Sequence, residues 1–360
     1  MKEAIACVLT SFARSAPADT HLIIRNHSLD NGLIDYAGFN LRIARFAKAN
    51  GIPTYYYIAP KVWAWKESRV KKIRKYIDRL FVIFPFEIDY FRSKGIAPVY
   101  EGNPLIDSID QRRTGLLSRN EFAAQNGLDG RPVIALLAGS RRSEIGYNLP
   151  FMVELSKQYP QYQFVVAGVS WLDKQVYTPY LDGSDVRYVC DKTYELLSVS
   201  DAAVVTSGTA TLETALLGIP QIVCYRRDWA SMLIGKAFLK IPYVSLVNLV
   251  LRREAVRELL QHHMSMKNAT EELSAILPGG AKHEKMLADY AELQRLIGQK
   301  NPSDRFAARM VELLHKDLNE KHGEKSAHTA NNGASRVLSA AQDPSGATGT
   351  STSPDSPASK

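Results

Sequence analysis

The stretch that decides the fold class is Ser207-Gly208-Thr209-Ala210-Thr211-Leu212-Glu213. It follows the apolar run DAAVVT at residues 201–206, which is typical of a buried parallel strand. It opens a segment, residues 209–217, that predicts a helix ending at Gly218-Ile219-Pro220. A strand therefore passes through a turn of small residues into a helix, which is the repeating unit of parallel α/β proteins.

The same turn predicts an anion site. Free backbone N–H groups and the positive end of the helix dipole face the space beyond the strand. Glu213 lies one turn into the helix, where its carboxylate would repel phosphate but accept hydrogen bonds from sugar hydroxyls. A diphosphate next to a ribose indicates a nucleotide, here a nucleotide sugar. The alternative, in which Ser207 and Thr209 only cap the helix, stays open. No Gly-Lys-Ser/Thr follows Gly208, so the turn is not a Walker loop.

Composition narrows the class of protein. The 360 residues are enough for two domains, and the hydrophobic and charged contents of 45% and 23% are ordinary for a globular protein. The three cysteines lie far apart, which excludes a disulfide framework and favours a reducing compartment. We expect neither an export signal nor a bilayer-spanning segment. The net charge of +8 favours an anionic partner: phosphate groups, nucleic acid or an acidic membrane surface.

Strand and helix patterns alternate regularly from about Leu33 onward. The first series predicts strands at residues 33–35, 54–59, 79–84 and 98–101, with helices at 41–49, 67–76 and 87–94. A polar connector near residues 107–118 leads to a second series, with strands at 132–138, 163–167, 186–189, 202–206 and 221–225. Two such series predict two facing, doubly wound domains, with ligands bound beyond the carboxyl ends of their strands.

The ends of the chain differ from this pattern. Residues 254–318 are predicted to be mostly helical with a break at Pro278-Gly279-Gly280, and residues from about His322 to be a disordered tail. Residues 1–32 match no element we can place, so the first domain is expected to be incomplete. The predicted domains are therefore 1–115 and 116–321, followed by the tail at 322–360.

Two further turns carry candidate chemistry. Asp35 ends a predicted strand, where a carboxylate can take a proton from a hydroxyl nucleophile or merely cap the next helix. Gly139-Ser140-Arg141 follows the first strand of the second series. Gly139 would let the backbone approach a ligand, and Arg141 would neutralise charge on a departing diphosphate. The alternative for Arg141 is a surface loop residue. Glu144 is expected only to cap this loop.

A basic and aromatic segment suggests a surface partner. Trp63 and Trp65 precede a helix that carries Lys71, Lys72, Arg74 and Lys75. Cations mixed with tryptophan suit an anionic membrane interface, although a solvated helix face is the commoner explanation of such a run. Residues 226–243 form a second aromatic and basic segment, for which core packing and lipid contact both stay open. No standard nucleic-acid-binding signature is present, so we expect no nucleic-acid partner. No acidic or histidine cluster predicts a metal, and Ser207 has no evident histidine partner for hydrolase chemistry.

Taken together, these segments resemble the lipid-A-disaccharide synthase family, which are bacterial glycosyltransferases of the GT-B class. The resemblance covers roughly residues 33–314, and it is carried by Leu33–Asn40, Ala59–Trp65, Phe84–Glu87, Tyr100–Pro104, Leu137–Arg141, Ser200–Glu213, Tyr243–Leu249 and Glu258–Gln261. The family has an α/β fold of two facing Rossmann-like domains. So many segments in the right order make the resemblance far more specific than any single motif.

The resemblance implies an inverting transfer that needs no cofactor or metal. UDP-2,3-diacylglucosamine and 2,3-diacylglucosamine 1-phosphate (lipid X) would give the β-1,6-linked disaccharide phosphate and UDP. Asp35 would act as base on the acceptor's 6-hydroxyl, with Asn40 nearby. The nucleotide would be held by Gly139, Ser140, Arg141, Ser207, Gly208, Thr209, Glu213 and Asn248. Such an enzyme would be cytoplasmic and peripheral on the inner face of the inner membrane.

One departure from the family pattern leaves rival functions open. The family's first domain begins with a Gly-Glu-Thr-Ser-Gly-Asp loop, and residues 1–32 contain no such loop. A non-catalytic binder of UDP-sugar or lipid would retain UDP binding without transfer. A UDP-sugar epimerase would share the architecture, but it would not need the tryptophan-rich basic segment.

Overall fold

The computed structural model describes residues 37–226, 242–298, 300–317 and 319–320. Several sequence-based predictions therefore lie outside the described residues. These are the strand at 33–35 with Asp35, most of the aromatic segment at 226–243, and the tail from 322 onward. The chain forms two compact units, residues 1–308 and 309–360. The described part of the second unit is helical, and Arg309 and Glu312 form an ion pair on it at 2.6 Å.

A three-stranded parallel sheet organises the first half of the larger unit. Its strands stand in the order β1-β2-β3, and short helices connect them. The elements are α1 (Ala37–Ala49), β1 (Tyr55–Tyr57), a 3-10 turn (Glu67–Arg69), α2 (Val70–Tyr76), β2 (Arg79–Val82), α3 (Pro85–Ser93), β3 (Pro98–Tyr100) and α4 (Leu105–Arg113).

Spacing of apolar residues explains how these helices sit on the sheet. Leu41, Ala44 and Ala47 of α1 are buried at intervals of three residues, as one face of an amphipathic helix requires. Val70 and Ile73 of α2 are buried in the same way. Both helices pack over Tyr56, Leu80 and Val82 of the strands, so the basic residues of α2 are left on its outer face.

A six-stranded, all-parallel sheet forms the second half. Its strand order is β6-β5-β4-β7-β8-β9, so the chain reverses direction across the sheet between β4 and β7. The elements are α5 (Arg119–Asn126), β4 (Val133–Leu137), α6 (Arg142–Ser156), β5 (Gln163–Gly168), α7 (Thr178–Leu181), β6 (Arg187–Cys190), α8 (Thr193–Ser198), β7 (Ala202–Val205), α9 (Thr209–Leu216), β8 (Gln221–Tyr225), α10 (Leu246–Leu251), β9 (Glu258–Leu260), α11 (Met266–Ile276) and α12 (His283–Ile297).

The central strands of this sheet are buried on both faces. Every residue of β4, β5 and β7 is buried, which explains why their sequences are continuous apolar runs rather than alternating ones. All five predicted strands of the second series are therefore present, and the α/β fold class with two parallel sheets is confirmed.

Two local predictions are wrong. The polar connector predicted at residues 107–118 is largely helical, because α4 spans Leu105–Arg113 and buries Leu105, Ile106 and Ile109 at helical spacing. The helical stretch predicted from residue 254 contains the edge strand β9, in which only the central residue, Leu259, is buried. The strand β9 has only three residues, too few to show an alternating pattern, so periodicity could not identify it. The predicted domain boundary at 115 stays a prediction.

Residues 302–308 return to the first sheet after α12. Phe306 is fully buried there, in edge contact with Tyr57 and Phe81 at ring-centroid distances of 4.9 and 6.2 Å. Asp107 of α4 accepts a hydrogen bond from the backbone N–H of Ser303 at 2.9 Å. The chain thus crosses twice between the two sheets.

Candidate nucleotide-sugar site

The turn between β7 and α9 is open and locally anchored. Gly208 has φ +132°, a conformation that favours glycine, and no atom lies within 4 Å of the place where a Cβ would stand. The hydroxyl of Ser207 donates to the backbone oxygen of Val244 at 3.2 Å. The hydroxyl of Thr211 donates to the backbone oxygen of Gly208 at 2.8 Å. These bonds fix the turn while its first backbone N–H groups point out of α9, as an anion site requires.

The loop after β4 lies next to this turn, because β4 and β7 pair directly through Leu137 and Val205. Gly139 has φ +111°, and a Cβ there would come within 2.7 Å of the Cβ of Glu144. Only glycine therefore fits at this position. The backbone N–H of Ser140 and the guanidinium of Arg141 both bind Glu144, at 3.2 and 2.7 Å.

The side chain of Arg141 is exposed at the edge of the loop. Its side chain is 76% exposed, and its partner Glu144 is 19% exposed. An exposed ion pair of this kind contributes little to stability, so the guanidinium is easily drawn to a stronger anion. Glu144 caps the loop, as the sequence suggested, and aims Arg141 outward.

Glu213 is oriented by a residue that the sequence analysis missed. The hydroxyl of Tyr194 donates to Oε1 of Glu213 at 3.0 Å. The guanidinium of Arg112 lies over the Tyr194 ring, 4.5 Å from its centroid. Tyr194 begins α8, at the same carboxyl edge as the other candidates, but it belongs to no motif. The second oxygen of Glu213 is not engaged in this bond, so a sugar hydroxyl has an acceptor there.

Asn248 lies behind the turn and is fully buried. Its amide nitrogen donates to the backbone oxygen of Val256 and to Oε1 of Glu258, at 2.8 and 2.9 Å. Its amide oxygen accepts from the backbone N–H groups of Ala255 and Val256, at 2.8 and 2.9 Å. The side chain is therefore saturated by the chain itself. This placement favours a positioning role for Asn248 over direct contact with a nucleotide.

Glu258 connects Asn248 to the turn between β7 and α9 through hydrogen bonds. Its carboxylate accepts the backbone N–H groups of Val244 and Ser245, at 2.9 and 2.8 Å. Val244 in turn accepts the hydroxyl of Ser207, so a continuous path of hydrogen bonds links Asn248 to the candidate anion site. The sequence singled out Asn248 only through the family resemblance and did not mark Glu258 as functional.

Trp171 is a second residue that the sequence analysis missed. It is 68% exposed, yet its indole N–H donates to the backbone oxygen of Ser140 at 3.3 Å. It follows β5, so it extends the row of loops at the carboxyl edge. A lone exposed tryptophan in a loop carries no sequence signal that separates it from an ordinary surface residue.

The structure divides the tryptophan and lysine candidates of the first sheet into two groups. Trp63 is half buried, its indole N–H donates to Glu87 at 2.9 Å, and its ring packs on Phe86, so it serves packing. Trp65 is 47% exposed beneath the ammonium of Lys66. The basic residues of α2, all of them exposed, are Lys71, Lys72, Arg74 and Lys75.

The remaining candidates are separate from this edge or are not described. Asn40 is buried at the start of α1, and Asp35 lies outside the described residues. Within residues 37–226 and the later described segments, no three His, Cys, Asp or Glu side chains cluster as metal ligands would. No helix in those segments has the length and apolarity needed to cross a bilayer.

Replacing Asn248 by alanine tests whether this residue positions the turn. The variant leaves the buried N–H groups of Ala255 and Val256 without an acceptor, at a cost of about 1–3 kcal/mol each. We expect a clear fall in the free energy of unfolding measured by urea denaturation. Asn50→Ala is the matched control, because the Asn50 amide is exposed at the end of α1. Unchanged stability together with lost nucleotide affinity would instead indicate direct contact.

Comparison with known proteins places this geometry in a family. Residues 24–310 match the family described as Lipid-A-disaccharide synthetase. The lipid-A-disaccharide synthase of Myxococcus xanthus is 37% identical over 288 residues, which cover 78% of this chain and 74% of the relative. That of Geobacter sulfurreducens is 36% identical over 293 residues, covering 79% and 75%.

Solved structures support the fold at lower identity. A UDP-GlcNAc 2-epimerase from Neisseria meningitidis, solved bound to UDP-GlcNAc, matches with a TM-score of 0.52 and 17% identity over 79% of this chain and 75% of that one. The epimerase from Rickettsia bellii matches with a TM-score of 0.50 and 14% identity, covering 78% and 72%. These likenesses show the architecture alone. By its sequence match, its paired parallel sheets and the turns at their facing edges, the chain belongs to the lipid-A-disaccharide synthetase family of glycosyltransferases.

Proposed function

We propose that this glycosyltransferase joins UDP-2,3-diacylglucosamine to lipid X. The acceptor's 6-hydroxyl oxygen attacks the anomeric carbon of the donor sugar, and its proton passes to Asp35. The bond from that carbon to the diphosphate oxygen breaks, and UDP leaves with the electron pair. Attack opposite the leaving group inverts the anomeric configuration and gives the β-1,6-linked disaccharide phosphate.

The observation that carries this proposal is the pairing of two anion-binding loops at one sheet edge. The N-terminal turn of α9 and the exposed guanidinium of Arg141 follow the adjacent strands β7 and β4. A diphosphate between them meets backbone N–H groups on one side and a cation on the other, where charge develops as UDP departs. Glu213, held by Tyr194, lies one helical turn away for the ribose hydroxyls.

The first domain meets this turn directly. A small cavity lies between the carboxyl end of β2 and the start of α9, and it is lined by Ile83, Phe84, Asn103, Pro104, Leu105, Thr209 and Leu212. Thr209 is a predicted phosphate-binding residue, and Ile83 and Phe84 follow β2. An acceptor held by the first domain would therefore approach the donor across this junction, as the facing edges of two doubly wound domains permit.

Epimerase and binding-only functions are the alternatives. The solved epimerases share the architecture at 14–17% identity, and this supports the fold rather than the reaction. The match to the synthetase family over residues 24–310 favours transfer. A binding-only protein would be recognised by UDP affinity without disaccharide formation.

Membrane contact follows from the proposed substrates, because both carry acyl chains. The outer face of α2 presents Lys71, Lys72, Arg74 and Lys75, and none of them has an ion-pair partner among the described residues. Each such cation near an anionic bilayer contributes about 1 kcal/mol of attraction. Exposed Trp65 adjoins this face and supplies an interfacial aromatic ring. We place this face on the inner surface of the inner membrane.

Arg141→Ala and Glu213→Ala test the nucleotide contacts. Each variant loses a hydrogen bond to a charged group, worth about 1.5–3 kcal/mol, so UDP affinity should fall by about 10- to 150-fold. Isothermal titration calorimetry with UDP measures the change. Arg92→Ala, which removes an exposed arginine from α3, is the control and should bind UDP as the parent does. Unchanged affinity in both site variants would move the nucleotide elsewhere.

Asp35→Asn tests the base. Loss of a general base lowers the rate by roughly 10²–10⁴-fold, while UDP binding on the other sheet should be retained. The measurement is disaccharide phosphate formed from both lipid substrates, with calorimetry of UDP binding on the same preparation. If the variant keeps more than about a tenth of the parent's rate, Asp35 is not the base.

Charge reversal on α2 tests the membrane face. We expect a variant with four charge reversals on this helix to lose most of its sedimentation with vesicles that contain phosphatidylglycerol. The residues changed to Glu are Lys71, Lys72, Arg74 and Lys75. Parent binding should weaken as salt screens the attraction. A control of equal charge change alters four exposed residues of the second sheet's domain to Glu: Lys157, Arg187, Lys267 and Lys300. If both variants bind alike, α2 is only a solvated face.

A further inference from the structure

Glu87 is a buried carboxylate that the proposed reaction does not use. It lies in the first turn of α3 and is 1% exposed. Burying a carboxylate is costly unless its oxygens are satisfied, so its retention here calls for a specific set of partners.

Three hydrogen-bond donors converge on this side chain. Oε1 accepts the indole N–H of Trp63 at 2.9 Å. Oε2 accepts the backbone N–H groups of Ile83 and Phe84, each at 3.1 Å. Glu87 therefore joins the loop after β1 to the end of β2.

These partners form the wall of the junction with α9. Ile83 and Phe84 line the cavity that Thr209 closes from the other side. The backbone oxygen of Ile83 also accepts the amide of Asn103 at 3.0 Å, and Phe84 stacks on Phe86 with a centroid distance of 5.4 Å. The position of this wall thus depends on the bonds that Glu87 makes.

The donors require an ionised carboxylate. A carboxylate offers acceptor sites on both oxygens, whereas a protonated carboxyl or an amide places a donor on one of them. That donor would face an N–H group, either of Trp63 or of the β2 end. Protonation of Glu87 must therefore loosen one of the two segments that it joins.

We propose that Glu87 is a positioning residue whose ionised form holds Trp63 and the Ile83–Phe84 backbone in the geometry needed for transfer, so that protonating it lowers the reaction rate. The effect on rate rests on the proposed function, whereas the effect on Trp63 does not.

The electrostatic surroundings put this protonation near neutral pH. Burial raises the pKa of Glu87 to about 7, although the hydrogen bonds from Trp63, Phe84 and Ile83 and the charge of Lys61 act in the opposite direction. Tyr100 of β3 is the other titratable group that faces it. The Tyr100 hydroxyl is buried without a hydrogen-bond partner among the described residues, and burial followed by the charge of Glu87 raises its pKa, so it stays neutral. Arg305, near Tyr100, acts on that hydroxyl in the opposite direction.

The first test is the pH profile of kcat/KM for Glu87→Gln. Glutamine is close to an isosteric copy of the protonated side chain. Below the pKa of Glu87, kcat/KM of the parent should fall by about tenfold per pH unit. The fall should stop at the kcat/KM of the variant. The variant should lack this fall and should bind UDP within about twofold of the parent, since the nucleotide lies on the other sheet. The proposal would be overturned if kcat/KM of the variant still fell at low pH, or if kcat/KM were lowered by the same factor at every pH.

Glu121→Gln is the matched control. Glu121 occupies the corresponding first-turn position of α5 and likewise accepts a backbone N–H, that of Ser118 at 2.9 Å. It is exposed, and its hydrogen bonds with Ser118 lower its pKa. Its replacement should leave the pH profile of the parent unchanged.

Tryptophan fluorescence tests the geometry without any assay of transfer. In the parent, emission should change with pH around the same midpoint as Trp63 loses its carboxylate partner, and the change should vanish in Glu87→Gln and in Trp63→Phe. Trp63→Phe keeps the carboxylate of Glu87, and it replaces Glu87→Gln as the test variant if Glu87→Gln fails to fold. It removes one favourable bond to the ionised form, so it should move the activity midpoint to higher pH. If transfer is absent but the fluorescence transition is present, the proposed function fails while the geometric role of Glu87 stands. If no variant alters the transition, that role is refuted.

Stability gives a further readout. The folded-state pKa of Glu87 lies above its ordinary value, so its contribution is favourable at low pH and is lost as pH rises through about 7. The parent should therefore lose stability relative to Glu87→Gln between about pH 5 and pH 8 in urea denaturation. A stability difference that is constant over this range would contradict the assignment.

Discussion

The direct pairing of β4 with β7 is the constraint on which the site depends. These strands are three steps apart in chain order but adjacent in the second sheet, and the connections run to opposite sides from this point. The helices that follow them therefore diverge and leave a crevice at the carboxyl edge. What fills the crevice is decided by the two turns, and both begin with glycines of positive φ.

Glycine is required at these two positions for different physical reasons. At Gly139 a side chain would collide with Glu144, the residue that aims Arg141, so the loop can hold its capping carboxylate close only without a Cβ. At Gly208 there is free space, and the constraint is the backbone conformation. One glycine thus serves close packing and the other an open turn. The space left at Gly208 is where a ligand atom can approach the start of α9.

Sequence patterns were sufficient for the central strands of the second sheet because these strands are buried on both faces. Continuous apolar runs followed by Gly or Ser turns identify such strands and their carboxyl ends. Patterns failed where burial is partial or the element is short, as at α4 and β9. For the candidate site, motifs identified residues in the turns at the carboxyl edge of the sheet, such as Ser207 and Arg141. They missed Tyr194, Trp171 and Glu258, which act through single hydrogen bonds between segments distant in sequence, a relation that leaves no periodic trace.

A division of labour between the two sheets follows from these contacts. The proposed nucleotide side is supported from behind by the saturated amide of Asn248 and by the carboxylate of Glu258, which hold the segment that anchors Ser207. The facing side is supported by Glu87, whose three donors need a charge that burial opposes. The proposed nucleotide and acceptor sides are therefore held by separate sets of hydrogen bonds, one at the edge of each sheet.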